Sequence, residues 1–277
     1  MLGCSLLFAL MALFIKLASK NIPVIEITFF RALIGVLVLS PLLLRKKIQY
    51  KLKHHTGSLI WWRDIAGWLA MILNFYAIAH IPLGDASLLN NTSPLFLLLF
   101  AETFLKEKVQ PSYLWLVGFS FLGIALILKP HFEVFNLGGV MGLCSGMIVG
   151  WVFILIKKLS KEERAVNVVL HFTTFSVFAT LPFLPFVWVT PTLQDSLYLV
   201  VAGVCGAIAQ IFITKAFHFG PASIISSFGF TQVLIAFILG MIIFGDHLTL
   251  STITGGIIII ICGVIISKFQ DKLVKQI

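Results

Sequence analysis

Apolar residues run along the chain in ten windows of about twenty residues, separated by short polar gaps. A helix that crosses a bilayer needs about 20 apolar residues, and it satisfies its own backbone polar groups in lipid. The pattern therefore predicts an all-α membrane protein with ten transmembrane helices. The windows are 2–19, 24–44, 63–80, 86–105, 112–129, 137–156, 167–189, 196–217, 222–244 and 250–267. Helix-breaking residues occupy most of the gaps, namely Pro23, Pro82, Pro111, Pro130, Asn136, Pro191 and Pro221.

The composition excludes a soluble protein. Of the 277 residues, 59% are hydrophobic and only 11% are charged, whereas about 25% of a soluble domain is charged. Ten spans leave only short connections and tails, so there is no room for a second, water-soluble domain. The net charge of +9 does not indicate a nucleic-acid partner, because the basic residues lie in the gaps between windows. The four cysteines lie inside apolar stretches without paired spacing, so we expect neither disulfides nor a metal site.

The basic residues predict the orientation. With a cytoplasmic N-terminus, sixteen Lys and Arg residues, Arg63 among them, fall on the inner side and four on the outer side. The four are Lys16, Lys20, Arg31 and Lys129. The positive-inside rule then predicts that both termini are cytoplasmic, and we expect the protein to lie in the cytoplasmic (inner) membrane. The first window lacks the features of a signal peptide and is predicted to be a retained span.

The chain repeats itself. Two segment pairs align at offsets of 139 and 141: Pro82-Leu-Gly-Asp-Ala-Ser87 with Pro221-Ala-Ser-Ile-Ile-Ser226, and Ile15-Lys16-Leu-Ala-Ser19-Lys20 with Ile156-Lys157-Lys-Leu-Ser160-Lys161. We expect two five-helix repeats, at residues 1–130 and 131–277. Five is odd, so the second repeat must enter the membrane inverted, and inverted repeats are typical of secondary transporters with a site at the repeat interface.

Three stretches carry a resemblance to a known family. They are Glu26-Ile-Thr-Phe-Phe-Arg31, the segment from Asn74-Phe-Tyr-Ala-Ile-Ala-His to Asn90-Asn-Thr-Ser-Pro94, and Phe104-Leu-Lys-Glu-Lys108. Across its whole length the chain resembles the ten-helix EamA-type branch of the drug/metabolite transporter superfamily. The second half departs from the pattern, with Val233 in place of Pro94 and Asp246 where a Glu is usual. The resemblance implies transport of a small metabolite, such as an amino acid or a nucleotide derivative like S-adenosylmethionine, and leaves the cargo open.

Polar residues at mid-depth in the bilayer are the candidate substrate-binding residues, because they face either a cavity or a partner helix. In the first half they are Asn74, Asn90, Asn91 and Ser93, and in the second half Gln210 and Gln232. Gln232 is the repeat equivalent of Ser93, and Gln210 that of Met71. The alternative role for these residues is hydrogen bonding between helices. Pro94 is expected to open the helix beside this cluster.

Three residues are candidates for a gate or for ion coupling. Arg31 either reaches the interface or pairs with Glu26, or alternatively binds a carboxylate at the outer gate. His171, the repeat equivalent of Arg31, is either a hydrogen-bonded packing residue or a carrier of a coupling proton.

Four interior aromatic residues could stack on a planar or cationic substrate: Trp68, Phe75, Trp151 and Phe228. A glycine stripe at a spacing of four, from Gly138 to Gly150, predicts close helix packing.

The sequence thus predicts a secondary transporter for an amino acid or amino-acid-derived compound, working by alternating access. S-adenosylmethionine or another nucleoside-type cargo is the alternative. A passive channel or a membrane-embedded enzyme is more remote, since charge rings and catalytic motifs are lacking. No nucleotide-binding motif is present, so we expect no cofactor, with energy from a coupling proton or a counter-substrate. The expected partners are the substrate and the bilayer, with the protein as a monomer or homodimer.

Overall fold

A computed structural model describes residues 1–44, 57–105, 111–128, 137–219, 225–226, 228–247 and 249–274. These residues form helices and connections, with no β-strand among them. In chain order the helices are α1 (Leu2–Ala18), α2 (Val24–Leu44), α3 (Gly57–His80), α4 (Leu83–Asn90), α5 (Ser93–Leu105), α6 (Pro111–Leu128), α7 (Leu137–Leu159), α8 (Ala165–Thr180), α9 (Leu184–Val187), α10 (Leu193–Phe219), α11 (Gly229–Leu239) and α12 (Leu250–Val274). The predicted breakers Pro130, Asn136 and Pro221 and the basic residues of 45–53 and 106–108 lie outside the described residues.

Each predicted window overlaps a described helix, but three windows are interrupted. Window 86–105 is broken at Asn91-Thr92, between α4 and α5. Window 167–189 contains a 3-10 turn at Leu181–Phe183, where Pro182 removes a backbone donor. In window 222–244, α11 passes into a π-turn at Gly240–Phe244, which ends at Gly245 with φ 67°.

Several described helices have the length and composition of a membrane span. Four are long and apolar enough to cross a bilayer, at Val24–Pro41, Leu137–Leu159, Ala165–Val187 and Leu193–Phe219. Three further apolar helices are shorter, at Leu2–Ala18, Gly229–Phe244 and Leu250–Cys262. The all-α prediction is confirmed.

Corresponding helices of the two halves make corresponding contacts. α1 packs on α10, and its repeat equivalent α7 packs on α3, the equivalent of α10. α1 also contacts α11, and in the same way its equivalent α7 contacts α4 and α5. α2 contacts α10, and its equivalent α8 contacts α3. α2 packs on α8, α4 on α11 and α6 on α12, each pair joining equivalent segments. This exchange of contacts is the one expected for two copies of one unit related by a pseudo-two-fold axis.

The correspondence extends to single hydrogen bonds. Cys4 Sγ donates to Ala209 O (3.4 Å), and Ser145 Oγ donates to Ala70 O (2.8 Å). Ser145 lies 141 residues after Cys4, and Ala209 lies 139 residues after Ala70. These are the two offsets of the sequence repeat, so the same interhelical contact is made once in each half.

Glycines of α7 bring this helix against the break between α4 and α5. A Cβ atom at Gly146 would lie 2.5 Å from both Leu89 O and Thr92 Oγ1, and one at Gly150 would lie 2.9 Å from Ser93 O. Real Cβ atoms do not approach backbone this closely. The predicted close packing of the glycine stripe is therefore confirmed at these positions.

Candidate functional site

A cavity of about 140 Å³ lies where α1, α3, α7, α10 and α11 meet the break between α4 and α5. It has room for roughly ten water molecules, so a small organic molecule can occupy it. The six polar candidates from the sequence all line it: Asn74, Asn90, Asn91, Ser93, Gln210 and Gln232. The repeat pairs Met71/Gln210 and Ser93/Gln232 contribute side chains from both halves to the one cavity.

The broken helix presents its polar side chains to this cavity. Pro94 lies in the first turn of α5, where a backbone N–H would have no partner within the helix, so the missing N–H of proline is tolerated there. The preceding helix, α4, ends at Asn90. Asn91 Nδ2 donates to Ser87 O (2.9 Å), while Ser145 Oγ lies 2.9 Å from Asn90 Oδ1. A Cβ atom at Gly229 would overlap Asn91 Oδ1, so glycine lets the start of α11 approach the break.

Arg31 also lines the cavity, and its surroundings correct part of the expectation. The residue is 3% exposed, so it does not reach out to an interface. Its Nη2 lies 3.5 Å from Gln210 Oε1, at the limit of a hydrogen bond. The predicted alternative of a pair with Glu26 is wrong, because the described residues contain no ion pair between them. Glu26 Oε2 instead accepts the backbone N–H of Val189 (2.9 Å).

Four of the remaining candidates lie outside the cavity lining, and Phe75 lies within it. Trp68 Nε1 donates to Thr180 Oγ1 (3.0 Å), and Trp151 packs edge-on against Phe104. The Phe228 carbonyl oxygen accepts a hydrogen bond from Ser5 Oγ (2.9 Å). His171 Nδ1 contacts Asp64 Oδ2. The structure therefore brings together the amides, Arg31 and Phe75, and leaves both tryptophans on other helix faces.

Sequence reasoning missed the buried charge pair of α3. Arg63, counted among the basic residues of the inner loops, is fully buried and lines the cavity. Its Nη1 donates to Asp64 Oδ1 (3.0 Å), and its Cζ atom lies over the Phe172 ring. Two neighbouring charges of opposite sign inside an otherwise apolar helix were the available signal, because buried charges occur mostly in pairs.

A sequence profile of the EamA-like transporter family matches residues 1–129 and again residues 136–268. The chain belongs to the EamA-like transporter family. It is therefore a small-molecule transporter and a multi-pass membrane protein, and the resemblance seen in the sequence is confirmed.

Individual relatives cover nearly the whole chain. The pseudopaline exporter CntI of Pseudomonas aeruginosa is 31% identical over 95% of this chain and 93% of its own length. An S-adenosylmethionine uptake transporter of Rickettsia bellii is 24% identical over 91% and 86%. A solved crystal structure covers 98% of this chain and 96% of its own at 15% identity, with a TM-score of 0.72, so it shares the fold.

In this EamA-like transporter, the two ends of α1 have different surroundings. Its first turns, from Cys4 to Met11, line the cavity. At its other end, Lys16 Nζ donates to Ile81 O (2.7 Å) and lies 3.9 Å from Asp246 Oδ2. The same carboxylate oxygen accepts the N–H of Leu83 (3.0 Å). These contacts join α1, the start of α4 and the segment that follows the π-turn, and none of the residues that make them lines the cavity.

Proposed function

We propose that this protein is a secondary transporter that moves an amino acid or amino-acid-derived compound across the cytoplasmic membrane by alternating access. The supporting observation is one cavity whose lining includes amides of both repeats, Asn90 and Asn91 from the first and Gln210 and Gln232 from the second. Amides donate and accept hydrogen bonds, so they suit a substrate with both kinds of group. The Lys16–Asp246 cluster then acts as the closed side of an alternating-access cycle.

We further propose that the two repeats are residues 1–130 and 131–277 and that both termini are cytoplasmic. A coupling proton or counter-substrate supplies the energy, and no cofactor is required. No chemical conversion of the substrate is expected. A reporter enzyme fused to the C-terminus tests the topology. Reporter activity on the outer face of the membrane would contradict a cytoplasmic C-terminus.

A nucleoside-type cargo such as S-adenosylmethionine is the second candidate, because one of the similar proteins is an S-adenosylmethionine uptake transporter. The cavity volume of about 140 Å³ favours the smaller compound. The lining includes Phe8, Phe75, Phe153 and Phe172 but neither Trp68 nor Trp151, so a purine would stack on a phenylalanine ring and not on an indole. An uptake assay in which unlabelled amino acids compete with labelled S-adenosylmethionine separates the two candidates, because the proposed amino-acid cargo should displace S-adenosylmethionine at low concentration.

The experiment is uptake and counterflow in liposomes with the purified protein and a panel of labelled amino acids, amino-acid derivatives and S-adenosylmethionine. We expect saturable counterflow of an amino-acid-type compound, with a raised KM in Gln210→Ala and Gln232→Ala. The matched control is Gln194→Ala, which removes the same side chain at an exposed position of α10. Absence of flux across the whole panel, or equal KM values in the cavity and control variants, contradicts the proposal.

A further inference from the structure

The cavity contains hydrogen-bond donors that no described residue satisfies. Nε and Nη1 of Arg31 and Nε of Arg63 are buried without an acceptor, and both side chains line the cavity. Leaving a buried donor without a partner is unfavourable, and more so when the group is charged. We therefore expect these arginine N–H groups to bind a hydrogen-bond acceptor at some stage of transport.

The charges around the cavity do not balance. Arg31 and Arg63 are the two arginines in the lining, and Asp64 is bonded to Arg63. Asp64 already compensates Arg63, with Oδ2 held by His171. The described carboxylate nearest to Arg31 in sequence, Glu26, is bonded to the backbone of Val189. Among the described residues, the positive charge of Arg31 thus has no carboxylate partner, and an unpaired buried charge is strongly unfavourable.

One aromatic ring holds both guanidinium groups in the same region. The Phe172 ring centroid lies 3.9 Å from Arg63 Cζ and 5.6 Å from Arg31 Cζ. Gly206 provides the room for Arg31, because a Cβ atom there would lie 3.0 Å from Arg31 Nε. The two arginines are therefore placed by packing, and their free N–H groups remain available for an anion.

We infer that Arg31 and Arg63 form a binding site for a carboxylate group of the transported compound. A carboxylate accepts two parallel N–H bonds from a guanidinium group, and one such anion cancels the one uncompensated charge. This inference rests on the proposed function and narrows its substrate class to compounds with at least one free carboxylate.

The same cavity offers a complementary acceptor. Asn74 Oδ1 is buried and receives no hydrogen bond from a described residue. An ammonium group has three donors and no acceptor, so Asn74 can bind the ammonium end of a zwitterion whose carboxylate lies at the arginines. Unpaired donors and an unpaired acceptor in one cavity match an α-amino acid group better than a neutral metabolite.

The test measures binding to the purified, detergent-solubilised full chain by the thermal shift of its tryptophan fluorescence. The probes are α-amino acids, each compared with its primary amide, which has the same size but no carboxylate. We expect saturable stabilisation by carboxylates and none by the amides. Arg31→Gln should weaken carboxylate binding on the order of 10- to 100-fold, the equivalent of one charged hydrogen-bonded contact.

Two further variants separate binding from folding. Arg63→Gln combined with Asp64→Asn replaces the ion pair by a neutral hydrogen-bonding pair, and it should weaken carboxylate binding without unfolding the protein. Arg164→Gln removes an exposed positive charge at the start of α8 and should bind carboxylates as the unmodified protein does. Equal stabilisation by acids and amides overturns the inference, as does unchanged carboxylate binding in Arg31→Gln. Stabilisation by chloride alone, dependent on Arg31, also overturns it.

Liposome counterflow distinguishes this inference from the proposed function. Flux of amides as fast as that of acids, unaffected by Arg31→Gln, contradicts the carboxylate site and leaves the transporter proposal standing. Arginine-dependent carboxylate binding without flux of any panel compound contradicts the transporter proposal and leaves the site standing.

Discussion

The Cζ atom of Arg63 lies 3.9 Å from the centroid of the Phe172 ring. Phe172 is buried on α8, and Arg63 is buried on α3, the neighbouring helix. An aromatic face attracts a cation by about 0.5–2 kcal/mol, and the attraction is larger when water is excluded. The contact therefore fixes the cavity-lining guanidinium group through a side chain from the other half of the chain.

Replacing the Phe172 ring by an aliphatic side chain should loosen both arginines. Phe172→Leu keeps an apolar side chain but removes the cation–π contact, so we expect a several-fold higher KM for a transported acid with little change in expression. Phe178→Leu on the exposed face of α8 is the matched control. A KM in Phe172→Leu equal to that of the control would show that packing alone positions the arginines.

The Arg63–Asp64 pair should behave as a unit in stability measurements. Removing one partner of a buried ion pair leaves an uncompensated charge, which typically costs about 3–5 kcal/mol. We expect Arg63→Gln and Asp64→Asn each to destabilise the protein by about this amount, and the double variant to lose much less than the sum. Denaturant unfolding followed by tryptophan fluorescence measures the cycle, and additive losses would contradict the pairing.

A methyl group on Gly146 should separate α7 from the helix break. The Cβ atom would lie 2.5 Å from Leu89 O, and overpacking of this kind costs about 1–3 kcal/mol. We expect Gly146→Ala to lower both the melting temperature and the transport rate. Gly118→Ala in α6 is the control, because its Cβ atom would meet nothing within 4 Å. Equal melting temperatures of the two variants would show that the close approach of α7 at Gly146 is not required for stability.

Substitutions of His171 test whether this residue is a hydrogen-bonded packing residue or the carrier of a coupling proton. Its Nδ1 contacts Asp64, which in turn holds Arg63, so we expect it to orient Asp64 by hydrogen bonding. His171→Gln retains a hydrogen-bonding side chain and should keep pH-gradient-driven uptake within a few-fold, whereas His171→Leu should lose it. Loss of the response to the pH gradient in His171→Gln, with exchange intact, would instead identify His171 as the proton carrier.

Hydropathy predicted a helix in each window, though not the three interruptions, and it singled out amides that the structure places in the cavity lining. The role of these amides in substrate binding stays a prediction. The positions Arg63, Gly67, Met71 and Asn74 lie on one face of α3, about one turn apart, and all four line the cavity. Trp68 follows Gly67 and is rotated by about 100° from it, so it packs on α8 instead. Hydrophobicity alone does not assign Trp68 to one face or the other, because Gly67 and Met71 on the cavity face are apolar as well.

The buried charges were harder to predict, for a reason of geometry. Arg63 falls at the edge of an apolar window, where a basic residue is usually a topology signal. Its burial depends on Asp64 beside it and on Phe172 and His171 from the other half of the chain. Contacts across the repeat interface are set by tertiary packing and are not visible in one segment.

The matching contacts of Cys4 with Ala209 and of Ser145 with Ala70 have an energetic consequence for a transporter with two access states. If exchanging the conformations of the repeats converts one state into the other, contacts that are equal in both halves cancel from the energy difference between the states. The resting preference then depends on pairs in which the repeats differ, such as Arg31 with His171 and Ser5 with Gly146. Swapping the residues of one such pair should shift the preference towards the opposite membrane face.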